Sequence, residues 1–143
     1  MSDLEIGQVI ALKIRFNNDG AISNSSHPYL IVGIDREFDV VEIAQLDSLD
    51  GKEYKAAFRS NKTIFCDNPV ETVIDRNSYI QLDNTLKIEN FPTITQFRRQ
   101  RDKLSRDKLS DVLRAYQQYH QTHIIDDNKI VYMDQGEVLQ LNR

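Results

Sequence analysis

The chain has 143 residues, 40% hydrophobic and 28% charged, the composition of one globular domain and not of a disordered chain. Twenty-two acidic against 18 basic residues give a net charge of −4, which excludes an even coat of positive charge for nucleic acid. No apolar run approaches the ~18 residues of a membrane span, the start MSDLEIGQV lacks the parts of a secretory signal, and the single Cys66 has no partner for a disulfide, so the expected location is the cytoplasm.

The first ~90 residues read as β-structure. In Ile6–Phe16, Leu12, Ile14 and Phe16 alternate with Lys13 and Arg15, the period of two of a half-buried strand. Asn17-Asn18-Asp19-Gly20 is a turn signal, because Asn and Gly tolerate positive φ. The run PYLIVGI at 28–34 predicts a central strand buried on both faces. A third strand at Val40–Leu46 ends in the turn Asp47-Ser48-Leu49-Asp50-Gly51. Shorter strands are expected at Tyr54–Phe58, Thr63–Phe65 and Tyr79–Leu82, with Lys87-Ile88 as a pairing stub.

Helical structure is expected after Phe91-Pro92, where Thr93 and Gln96 have capping-box spacing. A second start falls at Ser105: Leu109, Val112, Leu113, Tyr116 and His120 then form one helical stripe. RDKLS occurs twice in tandem, at 101–105 and 106–110. Five residues are about 140° out of phase on a helix, so Leu104 and Leu109 cannot share one face and a break near Ser105 is predicted. Lys129–Met133 and Val138–Leu141, separated by Asp134-Gln135-Gly136, read as a terminal β-hairpin. The expected organisation is a mainly β, α+β single domain: a β core at 1–92, a helical segment at 93–123 packed on it, and a hairpin extension at 124–143.

Charge is concentrated. Residues 98–108 carry Arg98, Arg99, Arg101, Lys103, Arg106 and Lys108 against Asp102 and Asp107, a local +4 on a body of −8. This cluster reads as a phosphate-binding patch, a surface for an acidic partner, or a solvated helix face.

Three segments and a helix, in order, resemble the PemK/MazF-type toxins of toxin–antitoxin modules. IGQVIALKIRF, a polar loop and SHPYLIVG resemble that family's opening hairpin; VEIAQLDS resembles its next strand; SYIQLDNTLKIEN resembles its S-x-x-x-L-D-Q segment; LSRDKLSDVLRAY resembles its terminal helix. The resemblance spans roughly residues 6–120. It implies an SH3-like β-barrel with a terminal helix, a homodimer, a cognate antitoxin partner and no cofactor. It also implies metal-independent cleavage of single-stranded RNA, in which a 2′-hydroxyl attacks the adjacent phosphate and leaves a 2′,3′-cyclic phosphate. Such a reaction needs a base, an acid and positive charge on the phosphate.

The chain departs from the family at its arginines. The family's Arg-Pro is His27-Pro28 here, its polar pair after the third strand is Asp47-Ser48, and the basic residue some members place two before the L-D aspartate is Gln81. Asp83 keeps that aspartate, while the Arg-Thr beyond it is Leu86-Lys87. The expected catalytic residues are His27 as acid–base or phosphate ligand, Asp83 as an orienting carboxylate and Arg59 as a source of charge. Ser26, Asp47, Ser48, Gln81, Lys62 and Lys87 are expected to bind RNA, with Arg59 and Lys62 flanking a basic hairpin tip. His27 also reads as a solvated loop histidine before a proline, and Asp47-Ser48 and Asp83 as ordinary turn residues.

His120-x-x-His123 with Asp126 and Asp127 has the spacing of a metal pair but no third ligand of known register, so no metal is expected. Cys66 has no adjacent base, and no phosphate-binding or hydrolase signature occurs. The competing functional reading is a non-catalytic binding module for RNA or protein that kept the barrel and lost the nuclease site.

Overall fold

A computed structural model describes residues 1–66 and 71–143. Its strands are β1 (Val9–Leu12), β2 (His27–Asp35), β3 (Val40–Ser48), β4 (Asn61–Ile64), β5 (Ser78–Gln81), β6 (Thr85–Glu89) and β7 (Ile130–Met133), with helices α1 (Arg106–Thr122) and α2 (Gln135–Leu141). The result is a mainly antiparallel seven-stranded sheet with a few helices, an α+β architecture. Among the described residues no helix is long and apolar enough to cross a membrane.

The long central strands follow from their composition. β2 and β3 are rich in Val, Ile and Leu, and β3 holds three neighbours at once: β2 and β6 along its first half, β5 along its second. A strand so paired is buried on both faces, and its alternate residues enter two separate cores. Ile10, Leu12, Tyr29, Ile31, Val41, Ile43, Leu86 and Ile88 face one, closed by Leu4, Phe91, Ile94, Met133 and Val138. Val9, Leu30, Ala44, Leu46, Ile64 and Ile80 face the other, closed by Leu104 and by Val112 and Tyr116 of α1. The expected helical stripe is therefore the packing face of α1, and the break near Ser105 is where α1 begins. Ser105 is its N-cap residue, and its amide donates to the buried Glu71 carboxylate at 3.1 Å.

Three expectations are corrected. Tyr54–Phe58 is no strand: Glu53–Ala57 forms a 3-10 helix with no buried residue, and Tyr54 and the C-cap residue Phe58 both stay exposed. The Thr93–Gln96 capping box does not form: a 3-10 helix covers Pro92–Phe97 with Phe91 as its N-cap and no side-chain cap, and an irregular stretch runs to the break at Ser105. The terminal hairpin is absent. β7 forms as expected but pairs parallel with β6, and Gln135–Leu141 is helical. Its start is Asp134, whose carboxylate accepts from the Glu137 amide at 2.9 Å. Asp134-Gln135-Gly136 is thus an N-cap and first turn in place of a hairpin turn.

Candidate functional site

Antiparallel pairing sets which chain segments meet. The start of β2, the end of β3 and the start of β5 lie at one end of the sheet, since Tyr29 faces Gln45 and Ser48 faces Ser78. A cavity of about 240 Å³ opens there, walled by Pro28, Leu46, Asp47, Ser48, Ser78, Ile74 and the side chains of Asp75, Arg76 and Arg99. His27 directly precedes Pro28 as the first residue of β2 and is partly exposed; its ring makes no hydrogen bond among the described residues.

Asp47 is the most connected group. Its carboxylate takes the Lys52 ammonium at 2.9 Å, the Tyr79 hydroxyl at 3.2 Å and its neighbour Ser48's amide at 2.8 Å. Partial burial alone would raise its pKa; Lys52, the Ser48 amide and Tyr79 outweigh that and hold it below the usual carboxylate range. The Tyr79 hydroxyl is pushed up to about 12, by burial first and by the Asp47 charge second. At neutral pH Tyr79 therefore donates a proton-bearing hydroxyl to an ionised Asp47. The Ser48 hydroxyl accepts from the Asp50 amide at 3.0 Å.

Two guanidiniums edge the cavity. Arg76 lies beside Asp75 at 3.1 Å and more loosely beside Asp50 at 3.5 Å; its hydrogen bond to Asp75 raises its own pKa and lowers that of the carboxyl. Arg99 is held by its backbone, whose amide donates to the Val9 carbonyl at 3.0 Å, and its exposed side chain has no ion-pair partner among the described residues.

The remaining expected site residues do not gather here. Asp83 lies beyond the other end of β5, about 13 Å along the strand from Tyr79 at strand rise, and pairs with Lys129 at 2.8 Å. Gln81 and Asp83 line a second, smaller cavity of about 190 Å³ with Phe58, Ser60, Asn61 and Tyr79. Arg59 is exposed in the turn before β4, at that same end. The structure thus places His27 at one end of the sheet and Asp83 with Arg59 at the other. Lys62 is no hairpin-tip cation: it lies within β4 and reaches across to Asp111 of α1 at 2.8 Å. Lys87 is exposed on β6 opposite Glu42 and Tyr132, and Ser26 is exposed just before β2.

The basic cluster divides. Arg98 and Arg101 share Asp3 at 3.1 and 3.5 Å, and Lys103 approaches Glu5 at 3.6 Å, so two carboxylates of the N-terminus engage three cations of the expected patch. Arg99 goes to the cavity, while Arg106 and Lys108 start α1. His120 is committed to packing: it stacks on Tyr116 at 4.1 Å and its Nε2 lies 2.8 Å from the Leu82 carbonyl. No group of three metal-ligating side chains gathers among the described residues. The Cys66 thiol points at the Ile74 carbonyl, 3.3 Å away.

No family model and no curated protein matches the chain in sequence. Arg76 and Tyr79 are the residues sequence reasoning passed over. Tyr79 had a signal, since it alternates with Ser78 and Ile80 on β5 and must face away from the Ile80 core. Arg76 had none, because only packing brings its loop to β3.

Proposed function

We propose that the chain is a metal-independent endoribonuclease acting on single-stranded RNA, a divergent toxin of the PemK/MazF kind with an SH3-like barrel, dimeric and neutralised by an antitoxin protein. One observation carries the reading. Pro28 and Asp47-Ser48, parts of two resembling motifs about twenty residues apart, line one cavity together with Arg76 and Arg99. These two arginines supply the positive charge that the motifs themselves lack.

In this reading a phosphate sits between Arg76 and Arg99, whose planar forks suit its oxygens. The 2′-hydroxyl oxygen bonds to phosphorus, the bond to the 5′-oxygen breaks, and the 2′-hydroxyl proton leaves to a base while the 5′-oxygen takes one from an acid. His27 serves in that exchange, since an imidazole can both take and give a proton. Asp47 is an anchor: Lys52, Tyr79 and the Ser48 amide already occupy its oxygens, and it stays ionised.

Inducible expression tests this. Growth arrest with fragmented total RNA is expected, fragments carrying 2′,3′-cyclic ends. His27→Ala should slow cleavage about 10²–10⁴-fold, and Arg99→Ala about 10²–10³-fold. Normal growth and intact RNA at good protein yield would sink the proposal. The saturation of Asp47 favours a second reading, a binding module that no longer cuts; purified protein that binds RNA and leaves it whole would establish it.

A further inference from the structure

The 3-10 helix Glu53–Ala57 and its flanks carry a feature that the cavity does not use. Tyr54 is 65% exposed and Phe58 48% exposed, and their rings meet edge to face at 5.9 Å. Nothing in this helix is buried, so the pair serves no core. Lys52, Lys55 and Arg59 interleave with the two aromatics along the same short segment, and residues 50–62 carry four cations against two acids on a chain of net −4. Lys55 Nζ sits 6.0 Å from the Tyr79 ring centre, and Lys52 is tied to Asp47, so the first half of the segment rests against Asp47 of the first cavity and its partner Tyr79. Phe58 also forms a wall of the second cavity, beside the polar edges of Asn61 and Gln81.

We infer that this segment is a landing platform for single-stranded RNA, with Tyr54 and Phe58 stacking on unpaired bases and Lys55 and Arg59 holding the backbone between them. Exposed aromatics interleaved with cations fit a single strand, whose bases offer free π-faces; they fit neither a duplex, whose bases are stacked away, nor an acidic peptide, which needs no ring. Tyr79 joins the platform to the cavity, since its ring lines the second cavity and its hydroxyl reaches Asp47 in the first. A strand lying on the platform thus delivers a phosphate to Arg76 and Arg99. The platform deepens the proposed nuclease and rests on that reading.

The test uses the whole chain and a fluorescent 12-nucleotide 2′-O-methyl RNA of mixed sequence, which binds but lacks the attacking hydroxyl. Tyr54→Ala and Phe58→Ala should each weaken binding at least about fivefold, the low end for one lost stack. Tyr54→Trp should restore or exceed wild-type affinity, and melting temperatures should stay within about 2 °C since no core is touched. Equal affinity in wild type and both alanine variants overturns the platform, and so does absence of wild-type binding. Cleavage of unmodified RNA by the wild type is scored in parallel. If it persists while the platform fails, the nuclease reading stands alone; if it is absent, that reading falls too.

Discussion

At the scale of single residues, the site is organised by one carboxylate. Asp47 is drawn below its unfolded value of ~3.9 by Lys52, the Ser48 amide and Tyr79 working against partial burial. A carboxyl depressed on folding adds stability that is present above the unfolded pKa and is lost as pH falls through the folded one. Thermal melts of wild type and Asp47→Asn should therefore differ at pH 7, by about 0.2–1 kcal/mol for so exposed a pair, and converge below pH 4, where the wild-type carboxyl takes up its proton. Curves that stay parallel down to pH 3 would show that Asp47 contributes packing alone. Of this site the sequence displayed Asp47-Ser48 and His27-Pro28, because strand ends are legible from turn chemistry. It displayed Arg99 only as one cation of the basic cluster, and Arg76 not at all. Each is one arginine among several, and what selects it is a packing contact between segments far apart in sequence.

At the scale of elements, the seat of α1 depends on a glycine. Gly7 has φ +98, a conformation side chains rarely adopt, and a Cβ there would lie 2.8 Å from Cδ2 of Leu109. The Gly7 carbonyl also accepts from the Leu104 amide at 2.9 Å, fixing the entry to α1. Gly7→Ala should cost about 1–3 kcal/mol in denaturant unfolding, and Leu109→Ala in the same background should recover part of it. Wild-type stability in the single variant would show that the turn absorbs a side chain. α1 itself was legible, since its apolar stripe has the helical period. α2 was not: Val138, Leu139 and Leu141 alternate loosely enough to read as a strand, and Asp134-Gln135-Gly136 reads as a turn until the Asp134 carboxylate is seen on the Glu137 amide.

At the scale of the molecule, two cores share one sheet, and the last elements belong to the first core. Val131 and Met133 of β7 and Val138 of α2 pack with Ile10, Ile43 and Ile88. Loops at its edge reinforce the join. The Arg15 guanidinium bonds Glu137 at 2.7 Å, and the Asn18 amide reaches the Ile130 carbonyl at 2.7 Å. Removing residues 130–143 should therefore abolish cooperative unfolding instead of trimming a tail, as calorimetry of the truncated chain would show. A sharp transition near the wild-type temperature would contradict that. The sheet's central strands were readable from apolar runs, but the parallel partnership of β6 and β7 was not. It joins residues 85–88 to 130–133 across α1, and nothing local encodes such a distant register.

That parallel strand has a consequence for synthesis. β6 leaves the ribosome more than forty residues before β7 can reach it, and the first core stays open along β6 throughout. Strands paired over so long a separation form late. Translation order thereby delays the complete fold until residue 138 is available. A newly made chain passes through its own production with a waiting sheet edge, the interval in which a second polypeptide could pair with it.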